Sequence, residues 1–338
     1  MTNYSLWRLP GQNHYTLMQQ TKGRPVQLDS PEQLDGRSGF VLAPFSPDES
    51  TPILLMQPDK VELHPIPESS VPLLAQVCKP VAVDEAYARC FARSHEAILR
   101  GQFGKLVLSH RQQIRMKELP DPKALFLSAC RLYPRQFVAL INMEVSGTWL
   151  MASPEVLVEG RDVDMRTMSL AGTMPAPEEG QEVAWDEKNR AEQALVTKYI
   201  IGRLKTCARD IGFTQPYTAR AAHLVHLRTD IRFRLDDCSR LGRLLQTLHP
   251  TPAVCGFPTH AARQWILEHE AHSRGYYSGF CGVLAPSSHT HLHVSLRCMQ
   301  LQGLTATLYA GGGLMPGSRL ESEWMEVQQK MQTMRNLL

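Results

Sequence analysis

Near the end of the chain, a run of three glycines precedes a helix that is rich in acids. Glycines occupy positions 311–313, and Glu323, Glu326 and Lys330 follow with the spacing i, i+3, i+7. This spacing places the three side chains on one face of a helix. Glycines let a backbone approach a ligand closely, and a helix N-terminus favours an anion. The stretch predicts a bound carboxylate and a cation held by the acids; a solvated helix after a turn is the alternative.

A second predicted helix, at residues 186–207, carries another pair of charged side chains. Lys188 and Glu192 are four residues apart and share a face of this helix. An exposed ion pair between them would stabilise the helix little. One glutamate from each of two helices is also a common way to hold Mg²⁺, with waters and substrate oxygens completing its octahedron. Both interpretations remain open at this point.

The elements that must position these residues are long strands and a few long helices. Helices are predicted at 84–100, 186–207, 261–270 and from near residue 318, and strands at 39–45, 51–56, 105–111, 136–143, 148–157 with a break at Pro154, and 291–299. Because helices and strands do not alternate strictly, we expect an α+β fold with large, mainly antiparallel sheets flanked by helices.

Two local patterns refine these predictions. Ser318 and Glu321 form the capping-box pattern, which predicts Ser318 as the N-cap of the last helix. In the strand at 291–299, His291, His293, Ser295 and Arg297 alternate with the apolar side chains. We therefore expect these polar residues to share one face of that strand.

Composition excludes several classes of protein. The chain has 338 residues, of which 43% are hydrophobic and 20% charged, with a formal net charge of +3. No basic block with aromatics suggests nucleic-acid binding, and the thirteen histidines form no HExxH motif. We find no signal peptide at the N-terminus and no apolar run of membrane-spanning length. The eight cysteines occur singly, which is typical of reduced thiols in a cytoplasmic protein.

Nine motifs occur in a characteristic order between residue 84 and the C-terminus. They are GKLVLSHR (104–111), ASPEVLVE (152–159), SLAGT (169–173), EKNRAEQ (187–193), LVHLRTDIRFRL (224–235), LHPTPAVCGFP (248–258), RGYYSGFCG (274–282), SLRCM (295–299) and YAGGGLMPGS with EWMEVQQK (309–330). Together they resemble the chorismate-utilising enzymes, whose fold is that of anthranilate synthase component I. The resemblance implies a catalytic chorismate-binding domain at 84–338, and a variable, strand-rich part of the same fold at 1–83.

Within this family, three positions separate the members by their nucleophile. Lys105 matches the lysine that deprotonates water in the isochorismate and salicylate synthases. Ala171 stands where the aminodeoxychorismate synthases carry a nucleophilic lysine, and Ala253, in HPTPAV, resembles the isochorismate synthase version of its loop. The resemblance therefore implies an isochorismate synthase, an isomerase that moves the hydroxyl of chorismate from C4 to C2. A salicylate synthase and an aminase subunit that needs a partner are the alternatives.

The resemblance also implies a role for each residue of the site. Lys105 would be the base and Glu155 the acid, whereas a solvated strand lysine and a turn glutamate are the alternatives. Glu192 and Glu326 would be Mg²⁺ ligands, and Glu323 would contact a metal-bound water. The residues implied in binding chorismate are Gly172, Thr173, His226, Tyr277, Arg297, Gly311, Gly313 and Lys330. For His226, a buried structural histidine is the alternative.

One position departs from the family pattern, because Gln193 replaces the usual histidine after Glu192. Gln193 can still form hydrogen bonds, but it cannot titrate. For the whole protein we expect a cytoplasmic monomer that needs no protein partner, nucleic acid or membrane. Its cofactor would be Mg²⁺, and its product would feed menaquinone or siderophore biosynthesis, with menaquinone the preferred prediction.

Overall fold

A computed structural model describes residues 3–68, 81–176, 183–221 and 224–338. The helices in these ranges are α1 (Glu85–Leu99), α2 (Pro122–Leu132), α3 (Glu187–Leu204), α4 (Leu241–Leu248), α5 (Thr259–His269) and α6 (Leu320–Arg335). The four predicted helices are confirmed as α1, α3, α5 and α6. Among the helices that the structure describes, none is long and apolar enough to cross a membrane.

The strands of the described ranges form two large sheets. They are β1 (Asn3–Arg8), β2 (His14–Gln20), β3 (Val26–Leu28), β4 (Gly39–Ala43), β5 (Ile53–Met56), β6 (Lys60–Pro65), β7 (Lys105–Arg115), β8 (Phe137–Met143), β9 (Gly147–Ser153), β10 (Val156–Arg161), β11 (Asp164–Pro175), β12 (Ala208–Phe213), β13 (Tyr217–Ala221), β14 (Leu224–Leu235), β15 (Gly256–Phe257), β16 (Phe280–Leu284), β17 (His289–Val294), β18 (Cys298–Gln302) and β19 (Thr305–Leu314). The break predicted at Pro154 is confirmed, because β9 and β10 lie on either side of it.

Strand order defines the two sheets. The first sheet has nine strands in the order β15-β7-β19-β18-β9-β8-β1-β2-β6. The second has ten, in the order β12-β14-β11-β10-β17-β16-β4-β5-β3, with β13 also paired to β14. Every strand pairing between described residues is antiparallel. The predicted α+β fold with mainly antiparallel sheets is therefore confirmed.

The strands before α1 belong to both sheets. β1, β2 and β6 extend the first sheet beside β8, and β3, β4 and β5 extend the second beside β16. Because these strands hydrogen-bond to strands from much later in the chain, the N-terminal residues contribute to the same layered core as the rest.

The two sheets pack face to face, and helices cover their outer faces. Phe40 and Leu54 of the second sheet meet Phe137 and Trp149 of the first in one buried cluster. α3 and α4 pack on the outside of the second sheet, where Ile200 lies in the same cluster as residues of β14. α1, α5 and α6 pack on the first sheet, and α2 packs beside them. Since burial of apolar area is the main stabilising term, this four-layer stack fixes the positions of the strand ends.

The predicted capping box is wrong. α6 begins after Arg319, which caps it without a side-chain hydrogen bond. Ser318 instead accepts a hydrogen bond from the backbone N–H of Met315 at 3.0 Å, inside the turn that precedes the helix. A serine before a helix can bond to its own turn instead of the first helical turn.

The predicted shared polar face at 291–299 is wrong in part. β17 ends at Val294, and Arg297 lies in the connection to β18 with a φ of 48°, in the left-handed region. His293 is buried and stacks on Phe137 of the opposite sheet, with ring centroids 4.1 Å apart. Because the second sheet has a layer on each face, alternation here does not separate a core face from a solvated one.

The cysteines agree with the expectation of reduced thiols. Seven of them are described, and all seven are free. Cys78 lies outside the described residues.

Candidate active site

A cavity lies where α3 and α6 approach the strands of both sheets. Eleven of the predicted site residues line it: Glu155, Gly172, Thr173, Glu192, His226, Ala253, Tyr277, Arg297, Gly311, Gly313 and Lys330. The other three, Lys105, Glu323 and Glu326, lie directly behind them. The structure thus brings together residues that are more than 200 positions apart in the sequence.

Lys105 is the first residue of β7, and its side chain is fully buried. Its Nζ lies 2.8 Å from Oε1 of Glu192, which projects from α3. The contact is an ion pair without the alignment of a hydrogen bond, so among the described residues Nζ has no hydrogen-bond partner. A buried amine with unused hydrogen-bonding capacity can accept or release a proton at a substrate. The alternative of a solvated strand lysine is excluded by this burial.

Glu155 follows Pro154 at the break between β9 and β10. Its side chain is buried, and its backbone carbonyl accepts a hydrogen bond from the N–H of Val294. Burial raises the pKa of Glu155 to about 8, against the opposing influence of Lys105 and Lys330. A carboxyl group with this pKa carries its proton at neutral pH and can donate it, as a general acid must.

Replacing Glu155 with glutamine should make the fold more stable at pH 8 but not at pH 4. The pKa of Glu155 is about 8 in the folded protein, above its value of 4.5 without the protein environment. Its contribution to stability is therefore full below about pH 4.5 and is lost as the pH rises towards 8. Glutamine does not titrate. As the pH rises, the thermal midpoint of Glu155→Gln should therefore exceed that of the wild type by a growing amount.

Thermal unfolding of both proteins between pH 4 and pH 9 measures this difference. Glu118→Gln, at an exposed position between β7 and α2, is the matched control and should follow the wild type throughout. A constant difference between Glu155→Gln and the wild type across this range would contradict the raised pKa.

Three carboxylates from α3 and α6 surround the backbone of the glycine run. Glu192 lies beside Gly313, and Glu323 and Glu326 lie beside Gly312. Lys330 donates a hydrogen bond to Oε1 of Glu326 at 2.6 Å. Burial would raise the pKa of Glu326, but Lys330 outweighs it and lowers that pKa. The helix face predicted from the i, i+3, i+7 spacing therefore points at the glycines.

Lys188 does not form the ion pair with Glu192 that its spacing allows. It reaches from α3 to α6 and donates a hydrogen bond to Oε1 of Glu323. Glu192 pairs with Lys105 instead. The physical reason is burial: Glu192 and Glu323 are both buried, and each keeps a lysine partner because an unpaired buried carboxylate is costly.

The donor set fits a hard divalent cation. Oε2 of Glu323 is buried and has no hydrogen-bond partner among the described residues. Burial, and after it the neighbouring Glu326, raise the pKa of Glu323. Carboxylate oxygens are the ligands that Mg²⁺ prefers. The lysines now paired with Glu192 and Glu326 show that both carboxylates need a positive partner.

A chain of hydrogen bonds fixes the protonation state of His226. Nδ1 lies 2.9 Å from the carbonyl oxygen of Gly172, which can only accept, so Nδ1 is the donor. Nη2 of Arg297 donates to Nε2 of His226 at 3.1 Å, so Nε2 is an acceptor. The imidazole is therefore neutral. Burial lowers the pKa of Arg297 to about 10, which leaves the guanidinium charged at neutral pH.

The left-handed backbone of Arg297 aims this charge into the cavity. Its side chain is buried, with Nη1 3.4 Å from Oγ1 of Thr333 on α6. A guanidinium that keeps donors free inside a cavity is well shaped to bind a carboxylate. Tyr277 and Gly311 lie on the same wall, and the tyrosine hydroxyl is so close to Gly311 that a larger residue there would collide with it.

Sequence reasoning missed Asn189, which positions one side of the cavity. Its Oδ1 accepts a hydrogen bond from the backbone N–H of Thr173 at 3.2 Å. Gly172 has a φ of +72°, and any Cβ there would lie 3.0 Å from the same Oδ1. Position 172 therefore requires glycine, and the only sequence signal for Asn189 was its place one turn before Gln193 on α3.

Gln193 points away from the cavity. It donates hydrogen bonds to Ser169 and Thr229 at 3.1 and 2.8 Å and so ties α3 to β11 and β14. Ala171 lines the cavity without a polar side-chain atom, and a lysine at this position would enter the space that the cavity provides.

Comparisons with known proteins agree with one another. The profile of the family described as "Chorismate binding enzyme" matches residues 60–338. Isochorismate synthase MenF of Escherichia coli (strain K12) is 32% identical over 250 residues, which are 72% of this chain and 58% of that protein. A salicylate biosynthesis isochorismate synthase of Pseudomonas aeruginosa is 33% identical over 250 residues, 72% of this chain and 52% of that protein. The chain thus spans a little over half the length of these two relatives.

A solved structure has the same fold. The structure of MenF, the menaquinone-specific isochorismate synthase from Escherichia coli, has a TM-score of 0.82 at 24% identity and covers 99% of this chain and 88% of that one. This likeness supports the fold described above.

Proposed function

Because the chain belongs to the family of chorismate-binding enzymes, we propose that it is an isochorismate synthase that converts chorismate to isochorismate reversibly. The observation that carries the proposal is that one cavity has both a buried lysine and a buried, protonated carboxylic acid. Lys105 contacts the cavity through Glu192, and Glu155 lines it with a pKa of about 8. An acid and a base of this kind are what the exchange of one hydroxyl for another requires.

The proposed reaction adds a water oxygen at C2 and expels the hydroxyl at C4. Lys105, in its neutral amine form, takes a proton from the attacking water, and Glu155 gives its proton to the departing hydroxyl, which leaves as water. Both ring double bonds shift by one position, from C1=C2 to C1=C6 and from C5=C6 to C4=C5, so one water enters and one leaves. Ala171 supplies no nucleophile of its own, which supports water in this role.

The chain's other residues bind and orient the substrate. Arg297 would hold one carboxylate of chorismate, and Tyr277 and the backbone of residues 311–313 complete that wall. Neutral His226, whose Nε2 accepts from Arg297, would lie beside the departing ring hydroxyl and hold Arg297 in place. Gly172 and Thr173 would line the substrate ring. Ala253 lines the cavity from its own loop, and its small side chain would leave room for that ring.

We propose Mg²⁺ as the cofactor, with Glu192 and Glu326 as its ligands and Glu323 beside it through a water. When bound, it would neutralise the ring carboxylate and withdraw charge as the double bonds shift. The buried carboxylates and the unpartnered Oε2 of Glu323 support this assignment. Lys330, which bonds to Glu326 and to the carbonyl oxygen of Gly311, keeps a positive charge near the bound carboxylate.

A product assay tests the proposed function directly. The pure protein is incubated with chorismate, with and without Mg²⁺, and the products are separated by chromatography. Isochorismate alone, formed only with Mg²⁺, is the expected result. The matched control is the same protein treated with a chelator and then resupplied with Mg²⁺, which should regain its full rate.

Other products would overturn the proposal in defined ways. Salicylate with pyruvate would identify a salicylate synthase. An aminated product after addition of ammonia would identify an aminase. No product under any of these conditions would contradict the assignment of an active enzyme.

We propose menaquinone biosynthesis as the destination of the product, on the likeness to the MenF sequence. Salicylate or catechol siderophore production is the other destination, since a relative of similar identity carries a salicylate name. Loss of menaquinone from cells that lack the gene, with unchanged siderophore secretion, supports the first destination, and the reverse result supports the second.

A further inference from the structure

Two histidines and a glutamate lie close together on the second sheet, apart from the residues of the cavity. His289 and His291 belong to β17 and are two residues apart, so they share a face of the strand. Glu159 of β10 lies directly opposite His291 in the antiparallel ladder. One ligand atom from each of the three residues lies within 4.8 Å of the other two. No other group of this kind occurs among the described residues.

The contact distances suit a tetrahedral metal ion. Nδ1 of His291 lies 3.1 Å from Oε1 of Glu159, and the rings of His289 and His291 stack with centroids 4.2 Å apart. With metal–nitrogen and metal–oxygen bonds of about 2.0–2.2 Å, neighbouring ligands of a tetrahedral Zn²⁺ lie roughly 3.3–3.5 Å apart. An ion could therefore replace the proton shared by His291 and Glu159 once the ring of His289, which stacks on His291, rotates to direct a nitrogen at the same point.

Two of the three side chains, Glu159 and His289, lie in surroundings that lower the pKa of each. Burial would raise the pKa of Glu159, but hydrogen bonds from His291 and Arg166 outweigh burial and lower it to about 2. Burial and the neighbouring His291 lower the pKa of His289. A carboxylate and a neutral imidazole are the forms of these side chains that bind a metal ion.

The second oxygen of Glu159 has its own partner. Nη2 and Nε of Arg166 donate to Oε2 at 2.7 and 3.2 Å, so Oε1 alone is directed at the histidines. Carboxylates that bind a metal ion are commonly oriented by hydrogen bonds from neighbouring side chains. His289 is exposed, so an ion can enter from solvent and keep a water as its fourth ligand. Arg234 of this surface is paired with Asp164, which reduces its repulsion of a cation.

We propose that Glu159, His289 and His291 form a site for a divalent transition-metal ion, with Zn²⁺ as the representative ion, that cross-links β10 to β17. Imidazole nitrogens select d-block ions such as Zn²⁺, whereas Mg²⁺ prefers oxygen ligands. The site is therefore chemically distinct from the acidic cluster at the cavity. Since β10 follows Glu155 and β17 precedes Arg297, the ion would fasten together the two strands next to these residues.

Calorimetric titration with ZnCl₂ in excess Mg²⁺ tests the site on the whole protein. Mg²⁺ fills the oxygen-rich sites, so the remaining tight uptake should correspond to one Zn²⁺ per chain. The variant His289→Asn removes one ligand at an exposed position and should weaken this binding by tenfold or more, on the order of the loss seen when a metal site loses a supporting group. The thermal midpoint of the wild type should rise with Zn²⁺, and that of the variant should not.

His64→Asn is the matched control. His64 also lies on a strand at 3.1 Å from a glutamate, Glu62, but it has no second histidine in a shared metal group. It should bind Zn²⁺ as the wild type does. A second readout is the visible absorption of bound Co²⁺, whose intense bands are expected for the wild type and His64→Asn and not for His289→Asn.

Two outcomes would overturn the proposal. Equal Zn²⁺ affinity of His289→Asn and the wild type would place the ion elsewhere, for example on thiols. Equal weakening in His289→Asn and His64→Asn would show general binding to surface histidines. Both readouts are independent of turnover, so they stand whether or not the protein makes isochorismate.

Discussion

Replacing Lys105 with arginine should lower kcat by about 10²–10⁴-fold, the usual contribution of a general base. Arginine keeps a positive charge beside Glu192, so the buried ion pair survives. It cannot release its proton near neutral pH, because the guanidinium group of arginine stays protonated in proteins. The variant therefore separates the two functions of Lys105, which are to neutralise Glu192 and to remove a proton from water.

The measurement is the rate of isochorismate formation at saturating chorismate and Mg²⁺, together with chorismate binding by calorimetry. Binding should change little, because Arg297 and the wall beside it are untouched. Lys105→Ala should be equally inactive but less stable, since it leaves the buried carboxylate of Glu192 without its cation, at a cost of about 3–5 kcal/mol. Comparison of thermal midpoints distinguishes the two variants.

Lys117→Arg is the matched control for this experiment. Lys117 lies just beyond the other end of β7 and is exposed. It should leave turnover and stability unchanged. Turnover close to that of the wild type in Lys105→Arg would contradict the role of Lys105 as base and would leave only its role as a charge partner.

Much of the fold could be predicted, because the helices that matter carry their own local signals. The apolar stripe of α1 and the spacing of charges on α6 follow helical geometry and need no partner to be recognised. The predicted antiparallel, α+β class is likewise confirmed. The strand order could not be predicted, because β1 pairs with β8 across more than a hundred residues, and no local pattern encodes that choice.

Spacing could not decide between two possible partners of one residue. Ser318 could cap α6 or bond within its own turn, and Lys188 could pair with Glu192 or with Glu323. Periodicity gives both choices equal weight, and only burial in the assembled layers decides between them. Arg297 was wrong for a different reason, because its left-handed backbone removes it from the strand that its spacing predicted.

The cluster of Glu159, His289 and His291 was missed for a related reason. The two histidines at positions 289 and 291, separated by one threonine, were visible in the sequence. The glutamate beside them, Glu159, comes from a strand that ends more than a hundred residues earlier. For the cavity, a resemblance to a family supplied the set of residues to inspect. It did not supply the pairing of Lys105 with Glu192, which determines what each variant should do.

Gly313→Ala should reduce kcat/KM by about 10²-fold or more while leaving the fold intact. A Cβ at this position would lie 2.7 Å from Cε of Lys105 and closer still to Oε1 of Glu192, nearer than real Cβ atoms come to other atoms. The φ of Gly313 is not in the left-handed region, so alanine fits the backbone of β19. Both obstructing groups are ends of flexible side chains, so they can move away. The substitution should therefore displace Lys105 and Glu192 and leave the protein folded. A displacement of about 1 Å at reacting groups is enough to lower a rate by about 10²-fold.

Gly312→Ala provides the matched control for that variant, because it adds the same atom to the next residue of the same strand. Its Cβ would lie 3.4 Å from Oε2 of Glu323 and 3.7 Å from Oε1 of Glu326, which are ordinary contact distances. Turnover should therefore stay within a few-fold of the wild type, and circular dichroism and thermal unfolding should show both variants folded. If Gly313→Ala were as active as Gly312→Ala, the close approach of Lys105 and Glu192 to β19 would have no part in catalysis. If it is inactive and folded, position 313 is a glycine because the base and its carboxylate partner occupy the space that a side chain would need.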